Sequence, residues 1–168
     1  DDDPDAKAYV VHAGPPRLKG GGYGDPGFYA VIQGSGDLKL LDEFDLKLVY
    51  AVETHVHADH ITGASLLKDR TGAKIVYGAG AHNVKGADIF LRDGEELRFG
   101  RTTLKAMATP GHTEGCTSYY TESTSPGAVF TGDALFIRGN GRTDFQGGSA
   151  AMLFDSFADH RMPRSLVP

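Results

Sequence analysis

The segment ETHVHADHITG (residues 53–63) places His55, His57, Asp59 and His60 within six positions, in a chain with only seven histidines. Directly before it runs LKLVYAV, and the β-branched and aromatic stretch over 46–54 reads as a buried strand. The cluster therefore falls at that strand's C-terminal end. Burying such groups unpaired costs roughly several kcal/mol each. Groups of this kind gathered to bind an ion are delivered from loops on a rigid scaffold.

The 168 residues suffice for one sizeable core and are too few for two ordinary domains. A content of 40% hydrophobic and 23% charged residues excludes disorder as the default state. The formal net charge is −5, and no lysine–arginine stripe is present, so neither nucleic acid nor an anionic membrane is an expected partner. No apolar stretch reaches the roughly 18 residues of a membrane span. Cys116 is the single cysteine, which rules out an internal disulfide framework and suits a reducing compartment. The opening DDDPDA, without an initiator methionine, and the closing SLVP read as the ends of a chain cut from a longer one.

Residues 1–27, rich in glycine and proline, read as irregular, with one short strand at AYVVHA. FYAVIQ reads as the next strand and GSGD as a turn. Beyond the histidine cluster, Ala64, Leu67 and Arg70 have helical spacing, with Gly72 where a C-terminal cap belongs. KIVY returns to strand. The Asp93–Gly94 turn joins ADIFL to EELRFG, and with TTLKAMAT this part reads as a meander; TSYYT and AVFT follow as strands. In SAAMLFDSFADH, Leu153, Phe154 and Phe157 read as one helical face, with Ser149 as cap.

His55 and His57 are two apart, so both can turn to the same side of an extended or tightly looped backbone. Asp59 and His60 follow at the start of the next helix, where free N–H groups can orient a carboxylate. His112 lies in TPGHTEG, where Pro110 and Gly111 break a strand, and Asp133 lies in TGDA, just past another apolar strand. Four imidazoles and two carboxylates gathered only at strand ends have no packing rationale, and they match the donor chemistry of a metal site. Cys116 reads instead as a buried thiol, Tyr119 and Tyr120 as packing residues of a strand, and His160 as an exposed helix residue.

THVHADH at 54–60, TPGHT at 109–113 and TGDAL at 131–135 together resemble the signature of the metallo-β-lactamase superfamily. Within it, GDALFIRGNGRTDFQGGS at 132–149 resembles the persulfide dioxygenases (sulfur dioxygenases) more than the related glyoxalase II hydrolases. The resemblance covers roughly residues 46–158. It implies an α+β fold, a four-layer αβ/βα sandwich with metal held between two sheets at their shared edge. On this reading residues 28–168 form the domain, with its C-terminal part incomplete. Asn140 stands where the family usually has a cysteine, the segment between Phe28 and Leu46 is shorter than the family's opening, and the final strands and C-terminal histidine are absent.

Two chemistries follow from the resemblance. For a dioxygenase, one Fe(II) is held by His55, His112 and Asp133, with His57, Asp59 and His60 around it; glutathione persulfide and O2 are the partners, and sulfite and glutathione the products. Arg142 then anchors the glutathione carboxylates, unless it is tied up by Asp144 or a loop carbonyl. For a glutathione thioester hydrolase, two zinc or mixed ions are held by His55, His57 and His112 on one side and Asp59 and His60 on the other, bridged by Asp133. That second site needs a further histidine, and beyond Asp133 only His160 exists. A third reading is a metal-free or non-catalytic fragment of the superfamily. A homodimer and an intracellular location, cytoplasmic or in the mitochondrial matrix for a eukaryotic source, complete the expectations.

Overall fold

The computed structural model describes residues 36–43, 47–58, 62–99, 102–122, 127–136 and 138–158. The strands expected at AYVVHA and FYAVIQ lie outside them, as do Asp59, His60 and His160. Helix α1 (Gly36–Glu43) leads to strand β1 (Tyr50–Val52), helix α2 (Ala64–Thr71) and strand β2 (Lys74–Gly78). Strands β3 (Ile89–Leu91), β4 (Glu96–Phe99), β5 (Thr102–Ala108), β6 (Thr117–Thr121) and β7 (Ala128–Phe130) follow, and helix α3 (Ala150–Ala158) comes last. Strands β1, β2 and β3 form a parallel sheet in that order. Strands β4 to β7 form an antiparallel meander.

Period-two alternation sorts the first sheet's side chains between two cores. Ala51, Ile75 and Tyr77 face Leu41 of α1 and Ala64 and Leu67 of α2. Val52, Val76 and Leu91 face the other way, onto Leu97, Leu104, Ala106 and Tyr119 of the second sheet. Helices, parallel sheet and antiparallel sheet thus stack as successive layers, the arrangement expected of the superfamily sandwich. At one end, α3 docks on the loop that follows β5, where Ser156 Oγ donates to the Pro110 carbonyl at 2.8 Å and Ser149 N–H to the Gly111 carbonyl at 2.8 Å.

Helix α2 has the expected form: Ala64 and Leu67 are buried, and Gly72 closes it in the left-handed conformation (φ +76°), its N–H donating to Lys68 O at 2.8 Å. Other expectations are corrected. Of the strand expected over 46–54, the described part forms regular strand from Tyr50 to Val52. Helix α1 starts inside the segment read as a turn, because Leu38 and Leu41, one helical turn apart, reach the outer core. ADIFL and EELRFG do not pair with each other: β3 adds to the open edge of β2, while β4 joins β5. The Asp93–Gly94 turn carries the chain between sheets and is pinned to β5, Asp93 Oδ1 accepting from Ala108 N–H at 2.7 Å. A turn signal specifies a reversal and leaves the pairing partner to tertiary packing. In α3, Leu153 is buried but Phe154 is 70% exposed, since adjacent helical residues point about 100° apart. Its buried side runs through Leu153 and Ser156.

Glu53, the first residue past β1, is 1% exposed, and among the described residues its carboxyl oxygens make no hydrogen bond of standard geometry. Burial pushes its carboxyl up to about 8, opposed only by the nearby Thr62 hydroxyl. Burial, and secondly the charge of Glu53, push the Tyr77 and Tyr119 phenols upward as well.

Two stability predictions follow. Leu67→Ala should cost about 2–5 kcal/mol in a urea titration, whereas Leu66→Ala, at a position 40% exposed, should stay within about 0.5 kcal/mol of the wild type. For Glu53, the unfolded chain releases its proton near 4.5 and the folded chain only near 8. The folded state holds the extra proton between those values, so stability falls as pH rises through that window, by up to about 1.4 kcal/mol per pH unit. Glu53→Gln should flatten this part of the profile. Parallel pH–stability curves for variant and wild type would refute the assignment.

Candidate metal centre

Strands β5 and β7 are both antiparallel to β6, so they run the same way and end at the same edge. The end of β1 is brought to that edge by two bonds between sheets. The Thr54 carbonyl accepts from Thr117 N–H at 2.8 Å, and the Glu53 carbonyl accepts from the Tyr119 hydroxyl at 3.0 Å. Loops leaving β1, β5 and β7 therefore meet, carrying His55 and His57, His112, and Asp133.

Two glycines allow the close approach. Gly132 sits at φ +53°, and a Cβ on it would lie 2.4 Å from Thr54 Oγ1, so the turn that carries Asp133 can press on Thr54 and His55 only without a side chain there. A Cβ on Gly141 would lie 2.5 Å from the Asp133 carbonyl oxygen and 2.7 Å from His112 Nδ1. Its absence lets the 138–146 segment reach the back of the His112 ring.

His55, His57, His112 and Asp133 each offer one donor atom, all within 4.8 Å of one another. His112 Nε2 is 2.9 Å from His57 Nε2 and 3.4 Å from Asp133 Oδ2; His55 Nε2 is 3.9 Å from the same oxygen. The outward nitrogens decide what the inward ones present. His112 Nδ1 donates to the Arg142 carbonyl at 2.7 Å, and a carbonyl can only accept. His57 Nδ1 donates to Gln146 Oε1. With both rings neutral, each Nε2 then presents a lone pair to the other at 2.9 Å, a repulsion that a proton or a metal ion between them relieves. Ligand bonds of about 2.0–2.1 Å hold neighbouring donors about 2.9–3.4 Å apart. The two shorter separations fall in this range and the third lies somewhat outside it, so the donor set fits one ion.

The structure brings His57 as near to His112 as any ligand pair requires. Asp59 and His60 lie outside the described residues. Arg142 is exposed, its guanidinium paired with both oxygens of Asp144 (Nε–Oδ1 2.7 Å, Nη2–Oδ2 3.0 Å) and 5.7 Å from the centre of the Phe145 ring. Hydrogen bonding from Arg142 holds the Asp144 carboxyl below its ordinary range. Cys116 is buried beside Thr113, whose N–H it accepts at 3.3 Å, and burial pushes its thiol up. It closes the His112 loop from within and is not one of the four converging donors.

Sequence reasoning assigned no role to Thr54, whose hydroxyl lies 3.0 Å from His55 Nδ1, to Gln146, or to Phe145, whose ring stacks on His57 at 6.5 Å. Thr54 is adjacent to a ligand and could have been found. Gln146 is 89 residues from its partner, and no local signal connects them.

Residues 20–162 match the family model described as the metallo-beta-lactamase superfamily. The chain is 48% identical over 123 residues to the mitochondrial persulfide dioxygenase ETHE1 of Homo sapiens, covering 71% of this chain and 46% of that protein. It is 39% identical over 116 residues to a hydroxyacylglutathione hydrolase of Methylococcus capsulatus, covering 68% and 44%. The crystal structure of ETHE1 from Myxococcus xanthus superposes with a TM-score of 0.66 at 45% identity, over 74% of this chain and 52% of that one. The chain spans about half the length of the curated relatives it matches. Its layered sheets, its converging donors and these similarities have one conclusion: the chain belongs to the metallo-beta-lactamase superfamily.

Proposed function

We propose that this chain carries the iron site of a persulfide dioxygenase, which oxygenates glutathione persulfide with O2 to give sulfite and glutathione. The observation that carries the reading is one converging donor set among the described residues, sufficient for one ion, in a chain more similar to persulfide dioxygenases than to hydroxyacylglutathione hydrolases. His55, His112 and Asp133 would hold the iron, with His57 beside them, its Nε2 turned toward the same point. A ferrous ion supplies what the protein lacks, a redox-active centre that lets ground-state O2 react with a soft closed-shell sulfur.

The chain's own residues do the positioning. The Arg142 carbonyl and the Thr54 hydroxyl hold the rings of His112 and His55. Phe145, 43% exposed beside His57, offers an apolar wall at the mouth of the site. The Arg142 guanidinium lies over the Phe145 ring; to bind a glutathione carboxylate it must exchange Asp144 for substrate, an exchange between exposed ionic partners that costs little. The human, mouse and bovine relatives are named as mitochondrial, which supports a mitochondrial location for a eukaryotic source.

Protein purified without added metal should carry about one iron per chain, and Asp133→Asn should lose most of it, because a neutral amide is a poorer ligand than a carboxylate. The wild type should consume O2 on addition of glutathione persulfide. Two zinc or mixed ions with cleavage of lactoylglutathione and no O2 uptake would replace this reading with the dinuclear hydrolase. Neither metal nor turnover would leave a non-catalytic member of the superfamily. Full iron occupancy in Asp133→Asn would remove that residue from the ligand set.

A further inference from the structure

We infer that Gln146 is a positioning residue for His57: its side-chain oxygen fixes the Nδ1–H form of that imidazole and turns the Nε2 lone pair toward the point where His55, His112 and Asp133 meet. The inference rests on the reading of this cluster as a metal centre. Three observations carry it. Gln146 Oε1 accepts from His57 Nδ1. Gln146 stands at φ +49°, a left-handed conformation uncommon outside glycine, which persists where surrounding contacts impose it. The segment around it is braced in that position. Phe145 stacks on the His57 ring with 23° between planes, the Arg142 guanidinium lies over Phe145 and pairs with Asp144, and Gly148 N–H closes a turn onto the Phe145 carbonyl at 2.9 Å.

The partner's chemistry decides what His57 can do. If the outer nitrogen accepted a proton from its partner, the inner one would carry its own hydrogen, aimed at His112 Nε2, 2.9 Å away. His57 would then satisfy His112 and offer nothing to an ion. With an oxygen behind it, the inner nitrogen is a lone pair, and the two facing nitrogens both serve a cation. Arg142 does the same for His112 through its carbonyl. One five-residue stretch, Arg142 to Gln146, thus sets the inward-facing atoms of two imidazoles drawn from different sheets.

The test uses Gln146→Gly, which removes the acceptor while suiting the positive φ, and Gln146→Glu, which keeps an accepting oxygen. Long-range 15N–1H NMR on the metal-free protein reads which His57 nitrogen bears hydrogen, and titration with Co(II) alone, followed by its visible spectrum, reads ion affinity. The wild type should show the Nδ1–H form. Gln146→Gly should shift His57 toward the Nε2–H form and weaken Co(II) binding about 10- to 100-fold. Its thermal midpoint should be unchanged or higher, whereas a merely structural residue would lower the midpoint and leave the ring alone. Gln146→Glu should keep both the Nδ1–H form and an affinity within about threefold of the wild type. Retention of the Nδ1–H form in Gln146→Gly, or Co(II) affinity within about twofold of the wild type, overturns the inference. Wild-type protein that takes up no Co(II) overturns the underlying metal reading too, and is distinguishable because the NMR measurement needs no ion.

Discussion

Two hydrogen bonds from the antiparallel sheet to the backbone after β1 fix the position of everything at the working edge. The apolar layer between the sheets, built from Val52, Val76 and Leu91 on one side and Leu97, Leu104 and Ala106 on the other, supplies adhesion but is non-directional. It permits small slides of one sheet over the other. The bonds from Tyr119 to Glu53 O and from Thr117 to Thr54 O do not, because each has a narrow range of length and angle. Tyr119 is 1% exposed, so breaking its bond would strand a buried hydroxyl and a buried carbonyl together. These contacts act on the two residues directly before His55. The position of that imidazole relative to His112 and Asp133 is thereby inherited from β6.

Behind the converging atoms stands a graded set of supports. His112 rests on a main-chain carbonyl, which can only accept. His57 rests on a side-chain amide, whose two ends have opposite character. His55 rests on the Thr54 hydroxyl, which both donates and accepts. Freedom in protonation pattern therefore increases from His112 through His57 to His55, and the glycine at 141 is what brings the strictest support within reach.

Much of this edge was legible in the sequence because its parts are local. An apolar strand followed at once by histidines, a strand broken by Pro110 and Gly111, and a glycine before Asp133 each announce a loop that carries polar groups past a strand end. The α2 helix and its Gly72 cap were legible for the same reason. What escaped notice depends on distance along the chain or on atoms that composition does not encode. The Arg142 carbonyl is common to every residue type, so no pattern marks it as the support of His112. The Gln146 contact joins positions 89 apart. The exchange of β3 and β4 between sheets came from the available edge of β2, which outcompeted a locally plausible hairpin. In α3, hydrophobicity alone placed Phe154 inward, while the narrow contact with the Pro110–Gly111 loop admits a serine, Ser156, in preference to a phenyl ring.

Because the donors come from both sheets, an ion at this edge acts as a clasp across the sandwich. It can close only on the docked arrangement, so its affinity and the cohesion of the two sheets draw on the same free energy. A substitution deep in the layer between them, far from any imidazole, would loosen the grip on the ion. Saturation with the ion would, by the same linkage, hold the layers together against heat and denaturant.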